Sequence, residues 1–278
     1  MKLIFDELSA HCAQRTTQQY STSFSLGIKL LDKSLHRPIY AIYGLVRFAD
    51  EIVDSFHEFN KAELLSEFKA DAYRSIEKGI SLNPILNEFQ WAVNKYKIDH
   101  QWIATFFKSM EMDLNEKDHN AGSYKDYILG SAEVVGLMCL HVFVEGDQSK
   151  FDTLKPYAMS LGAAFQKVNF LRDIKADYQA LGRTYFPGID MESFTKQHKQ
   201  EIEEDIAHDF KVALIGIKKL PLKSRKGVYL AYVYYLKLFQ KIKHTPVEKI
   251  METRIRVPNL SKVFLMFRSV VQHQLNLL

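Results

Sequence analysis

Little in this sequence cross-links it, and little marks it for a membrane or a nucleotide. Two cysteines among 278 residues, Cys12 and Cys139, lie far apart and match no metal-ligand or redox spacing. That excludes a disulfide scaffold and a zinc ribbon, and it fits a reduced, intracellular setting. Runs of strict apolar–polar alternation are scarce, which argues against a sheet-based fold. No G-x-G-x-x-G fingerprint occurs. The longest apolar run, Val134–Val144, is about half of what a spanning helix needs. The opening MKLIFDELSAHC carries acids at once and lacks the apolar stretch of a secretion signal. A net charge of +4 is too weak to imply nucleic acid, yet it suits an anionic ligand or a membrane surface. The expectation is a cytoplasmic protein that meets membranes peripherally.

What is present is helical periodicity in a soluble composition, 47% hydrophobic and 25% charged. The pattern predicts helices over roughly 5–20, 36–58, 61–79, 83–97, 100–115, 124–145, 151–180, 199–219, 225–243 and 260–276. Pro38 and Pro84 fall near helix starts and Pro156 in a first turn, while Pro187, Pro221, Pro246 and Pro258 fall in connections. No long linker, low-complexity tract or internal repeat divides the chain, so one all-α domain over 1–278 is expected. The aromatic-dense VYLAYVYYLKLF near the C-terminus reads as core.

One apolar stripe behaves oddly. In YAIYGLVRFADEIVD (40–54), with Ile39 set at zero, Tyr43 falls near ~40°, Val46 near ~−20°, Asp50 near ~20° and Asp54 near ~60°. Two carboxylates therefore continue the core face, with Arg47 beside them. Buried acids need a cation, a metal or a wet cavity. A helix end leaving the core gives the same pattern, so this pair alone does not choose between a site and a surface.

A second pair, Asp173 and Asp177, recurs in FQKVNFLRDIKADYQALGRTYFP. In a continuous helix Gln166, Asn169, Asp173 and Asp177 share about 80° of arc. Leu161, Ala164, Val168 and Leu171 form the opposing apolar side, and Arg172 and Arg183 stand close by. A third pair, Asp205 and Asp209, has no arginine within four residues and reads as a solvated flank. Two acid pairs with adjacent arginines suggest a facing arrangement. Hard oxygen donors with few histidines favour Mg²⁺ over zinc, and Mg²⁺ is held by a few carboxylates plus substrate phosphates. Arg47, Arg172 and Arg183 would hold diphosphate oxygens. The chemistry this suits is ionisation of an allylic diphosphate, with an aromatic cavity sheltering the carbocation.

Four stretches, taken together, resemble the squalene/phytoene synthase family: YSTSFSLGIKLL (20–31), AIYGLVRFADEIVD (41–54), YILGSAEVVGLMC (127–139) and QKVNFLRDIKADYQALGRTYFP (166–187). RIRVPNLSKV near the C-terminus is similar as well. The resemblance implies an all-α isoprenoid-synthase bundle around a central cavity. It implies Mg²⁺-diphosphate held by Asp50, Asp54, Asp173 and Asp177 with Asn169, and Mn²⁺ as a substitute ion. It places Arg47, Arg172, Arg183, Ser21 and Ser23 on phosphate. Tyr43, a catalytic candidate, and Phe24 would line the cavity, Gln166 and Asn169 would sit beside the second metal cluster, and Tyr127 would meet substrate.

The sequence departs from the family pattern at Leu129, where many relatives have a second tyrosine, and at Glu133, where many have glycine. Glu51 replaces a second aspartate of some relatives and points off the stripe.

The implied reaction joins two allylic diphosphates head to head. Phytoene from two geranylgeranyl diphosphates, without NADPH, is the favoured outcome. Dehydrosqualene or squalene from two farnesyl diphosphates is the alternative. A non-catalytic assembly-factor relative would lack the acids that are kept here. A di-metal carboxylate oxidase would need paired Glu-x-x-His motifs, and the sequence has only Glu116–His119.

Overall fold

The computed structural model describes residues 1–115, 119–181, 184–189 and 193–258, with Lys262, Leu265, Met266 and Ser269, and only the backbone at 176, 177 and 179–181. Among these residues the chain forms helices and no strand. They are α1 (Lys2–Tyr20), α2 (Thr22–Lys29), α3 (Lys33–Ser55), α4 (Lys61–Lys78), α5 (Pro84–Tyr96) and α6 (His100–Asn115). There follow α7 (Ala121–Ile128), a π-turn (Leu129–Glu133), α8 (Val134–Phe143), α9 (Gln148–Leu181), α10 (Lys196–Lys219), α11 (Leu222–Lys243) and α12 (Val247–Glu252).

Local chemistry sets the ends. The side chains of Asp32, Asn60, Asn83, Asn120 and Thr195 each accept a backbone N–H of the first turn that follows, satisfying groups the helix leaves orphaned. Pro84 takes the first position of α5, where no N–H is required. Gly79 closes α4 in the left-handed conformation.

The structure departs from the periodicity at two short helices and one long one. The pattern passes over α2 and α12, of eight and six residues, which are too short to show a repeat. The helix expected over 124–145 is broken by the π-turn, where one extra residue is let into the spiral. The helix expected over 260–276 lies outside the described residues, apart from Lys262, Leu265, Met266 and Ser269. Taken whole, Ala121–Phe143 is long and apolar enough to cross a membrane, which the apolar run 134–144 alone does not suggest. Here it packs inside the bundle, with 44% of its most apolar window buried.

Two apolar clusters flank the centre. One joins α1, α3, α4, α5 and α6 through Leu35, Leu45, Leu86, Phe89 and Phe106. The other joins α9, α10 and α11 through Val168, Leu171, Phe210 and Leu238. Between them runs a cavity of about 470 Å³. A wall of this kind stays open because its lining side chains already pack on their outer sides.

Candidate active site

The two helices that carry the acid pairs face each other across one end of that cavity. Tyr43, Val46, Arg47 and Asp50 of α3 line it, as do Gln166, Asn169 and Arg172 of α9. Ser21 and Phe24 join from the start of α2. Ser21 caps α2, its hydroxyl accepting the Phe24 N–H at 3.1 Å, so the cap also fixes Phe24 at the wall.

At the first pair, burial and then the neighbouring Asp54 charge push the Asp50 carboxyl up to about 7, against the pull of Arg47. Asp113 adds negative charge from α6. Arg47 is shared. It forms a close ion pair with Glu51, lies 3.9 Å from Asp50, and spreads its guanidinium 4.4 Å from the centre of the Tyr20 ring. Its Nε is buried and has no hydrogen-bond partner, which suits an incoming anion. Glu51 therefore acts in the site through Arg47, although it points off the stripe.

Asp173 is held differently. Arg172 grips its carboxylate from the same helix, and Arg254 reaches it from beyond α12, Nε to Oδ1 at 2.7 Å. Asn169 accepts the Tyr235 hydroxyl at 3.4 Å. Arg254 and Tyr235 both line the cavity. Neither was expected at the site. RIRVPN held the signal for Arg254, while Tyr235 was hidden in the aromatic patch assigned to core. Val228 and Ala231 of that patch line the cavity as well, while Leu230, Tyr232, Tyr234 and Phe239 are buried in the core.

Next to the charged end stands an aromatic cage. Phe165 stacks on Tyr235 at 3.9 Å, and Phe24 lies 5.9 Å from Tyr43 and 6.0 Å from Tyr235. Burial raises the Tyr43 phenol well above its ordinary range, so it stays protonated. Ring faces of this kind attract a cation without offering it a nucleophile.

Other expected residues are placed elsewhere. Tyr127 is buried outside the cavity wall, its hydroxyl donating to Asp113 at 2.8 Å, with Tyr185 donating to the same carboxylate at 3.1 Å. It braces the acid behind Asp50 and does not face the cavity. Ser23, Asp54 and Asp173 do not line the wall, although Asp54 lies close enough to Asp50 to raise its proton affinity. Leu161 faces the cavity, whereas Ala164, Val168 and Leu171 are fully buried, so the apolar side of α9 is narrower than its pattern suggests. The side chain of Asp177, all of Arg183 and Glu116 of the Glu116–His119 motif lie outside the described residues.

The Asp205/Asp209 pair is a solvated flank only at Asp205, whose side chain is 55% exposed; Asp209 is 13% exposed, and both carboxylates meet Lys167 of α9. The partner comes from another helix, which spacing within α10 cannot reveal.

The donor set fits Mg²⁺ at the first pair. Asp50 and Asp54 are hard donors on one helix face, backed by Asp113, and their mutual repulsion is what a divalent ion relieves. Among the described residues no three acids, cysteines or histidines converge as a finished metal cluster. Further oxygens would come from a phosphate ligand.

Comparison with known proteins agrees with this layout. A family model described as squalene/phytoene synthase matches residues 17–261. A 4,4'-diapophytoene synthase of Staphylococcus haemolyticus is 27% identical over 206 residues, covering 73% of this chain and 70% of its own. The chloroplastic phytoene synthase 1 of Solanum lycopersicum is 26% identical over 256 residues, covering 86% of this chain and 61% of its own. Among solved structures, a dehydrosqualene synthase superposes with a TM-score of 0.81 at 19% identity, covering 97% of this chain and 98% of that one. A squalene synthase from Alicyclobacillus acidocaldarius gives 0.75 at 18% identity, covering 87% and 97%. These likenesses carry the isoprenoid-synthase helical fold, and with the family match across nearly the whole sequence they place the chain in the squalene/phytoene synthase family.

Proposed function

We propose that this protein is a prenyltransferase that condenses two geranylgeranyl diphosphates head to head to phytoene. The observation that carries the reading is the polarity of the cavity. The lining joins Asp50, Arg47, Arg172 and Arg254, with Gln166 and Asn169, to a remainder that is mostly apolar and aromatic. That matches a substrate with a diphosphate head and a hydrocarbon tail.

The first step breaks the C1–O bond of one substrate. Pyrophosphate leaves and its charge is taken up by the guanidiniums of Arg47, Arg172 and Arg254. Mg²⁺, held by Asp50 and Asp54 and on the facing helix by Asp173 and Asn169, would add positive charge to the leaving group. The allylic cation forms beside Phe24, Tyr43, Phe165 and Tyr235, which exclude water and bring no nucleophile. C1 then alkylates the 2,3 double bond of the second substrate, and proton loss closes a cyclopropylcarbinyl diphosphate. Loss of the second pyrophosphate, rearrangement and a second proton loss give the 1–1′ linked triene. The balance is two pyrophosphates and two protons released, with no reductant consumed.

Farnesyl diphosphate is the second reading, favoured by the similarity to a diapophytoene synthase. The test offers both diphosphates with Mg²⁺ or Mn²⁺, with and without NADPH. A C40 triene and pyrophosphate are expected from the longer substrate. Absence of hydrocarbon from both substrates sinks the reading. The hydrocarbon is insoluble, so reversible contact of this cytoplasmic enzyme with a membrane surface belongs to the same proposal.

A further inference from the structure

The deep half of the cavity takes no part in the chemistry above, and one contact there bears on chain length. Along α9 the lining runs from Arg172 through Phe165, Leu161 and Tyr157 to Leu154, a path of ~27 Å at ~1.5 Å per residue. Leu31, Leu140, Phe143 and Leu220 line the same cavity. Tyr157 is the bulkiest side chain that α9 contributes beyond Phe165, and it lies against Gly216 of α10. A Cβ added to Gly216 would stand 2.2 Å from the Tyr157 Cβ and 2.7 Å from its Cγ. Lys219, about one turn on, sets its ammonium 5.1 Å from the ring centre. The ring is thus folded onto α10 and the passage continues past it.

We propose that the Tyr157–Gly216 contact sets the depth of the cavity and with it the longest prenyl chain accepted. Only a hydrogen on the Gly216 Cα leaves the ring room beside α10. Any larger side chain meets the Tyr157 Cβ, which rotation of the ring does not move, so α9 and α10 must shift and carry the ring from its place beside Gly216. The inference rests on the prenyl diphosphate reading, and it favours the C20 substrate for the wild type. The Gly216 contact is with the Cβ of Tyr157, so shifting it moves the whole side chain, not a flexible tip.

The experiment measures binding of non-ionising thiolo-diphosphate analogues of the C15 and C20 substrates, so turnover is not required. In Gly216→Ala the C20-over-C15 affinity ratio is expected to fall by about tenfold or more, in the range typical of a misfitted apolar pocket. Adding Tyr157→Gly to Gly216→Ala removes both the Cβ in contact and the ring, and is expected to restore the ratio to the wild-type value or above. An unchanged ratio in a normally melting Gly216→Ala protein overturns the proposal. If Gly216→Ala fails to fold, the double variant decides, and a reduced ratio there also overturns it. Wild-type protein that binds neither analogue would instead defeat the prenyl diphosphate reading itself.

Discussion

Asp50 shows how a single residue carries both a function and a cost. Its carboxyl, one-third exposed beside Asp54, holds its proton up to about 7, a cost that a bound cation offsets. Asp50→Asn is therefore expected to lose turnover by at least ~100-fold while melting at or above the wild-type temperature, as steady-state assays and calorimetry would show. Arg254→Ala should weaken binding of the C15 and C20 thiolo-diphosphates about tenfold, roughly one charge-assisted hydrogen bond. Asp50 and Arg47 were legible in the sequence because a helix reports its own faces. Arg254 was not legible at this scale, since its partner Asp173 lies 81 residues away. Tyr235 escaped for another reason: an aromatic side chain in a cavity wall has the same sequence neighbours as one in a core.

At the scale of elements, the joint between α9 and α10 is tied by charge. Lys167, 10% exposed, lies between Asp205 and Asp209 and above Glu133 of the π-turn. Burial, then the Asp209 charge, pushes the Glu133 carboxyl up to about 7 despite Lys167. Replacing Lys167 with methionine leaves Asp209 buried without its cation and should destabilise the fold by about 3 kcal/mol in denaturant titrations. Glu133 acts in the opposite sense. The folded chain holds its proton in a range where the unfolded chain, near 4.5, has lost it. Its penalty is absent below pH 4.5, grows between there and 7, and is complete above. Glu133→Gln is thus expected to raise the melting temperature at pH 8 and to change it little at pH 4. Equal shifts at both values would show that burial of the charge is not the cause. The sequence marked Glu133 as a departure, yet its neighbours come from two other helices, and no spacing along one helix could supply them.

For the whole molecule, the all-α class and most helix spans were readable, because amphipathic periodicity is imposed by the core each helix faces. The acid pairs on apolar stripes pointed to a cavity, but most of its wall was not readable, since the absence of packing leaves no mark on a pattern of apolar residues. On the proposed reading, a hydrocarbon formed in this largely apolar cavity must also be released. Anionic lipid vesicles added to the assay should therefore raise the steady-state rate several-fold over buffer alone, with little effect on the first turnover in a rapid-quench experiment. An equal effect on both phases would place the limitation in the chemistry instead.

The π-turn at 129–133 bears on how this cavity can change. Before it, Tyr127 is pinned to Asp113; after it, Val135, Gly136, Cys139, Leu140 and Phe143 supply one wall. The π-turn takes up one extra residue locally and leaves the helix after it in phase, so removing that residue would restore the ordinary spiral while the wall keeps the same side chains. The same deletion in the regular helix beyond it would turn everything that follows by ~100° and present a different set. The turn is thus a place where the chain can change length without reshaping the cavity, whereas in α8 a change of length would act far more strongly than any substitution.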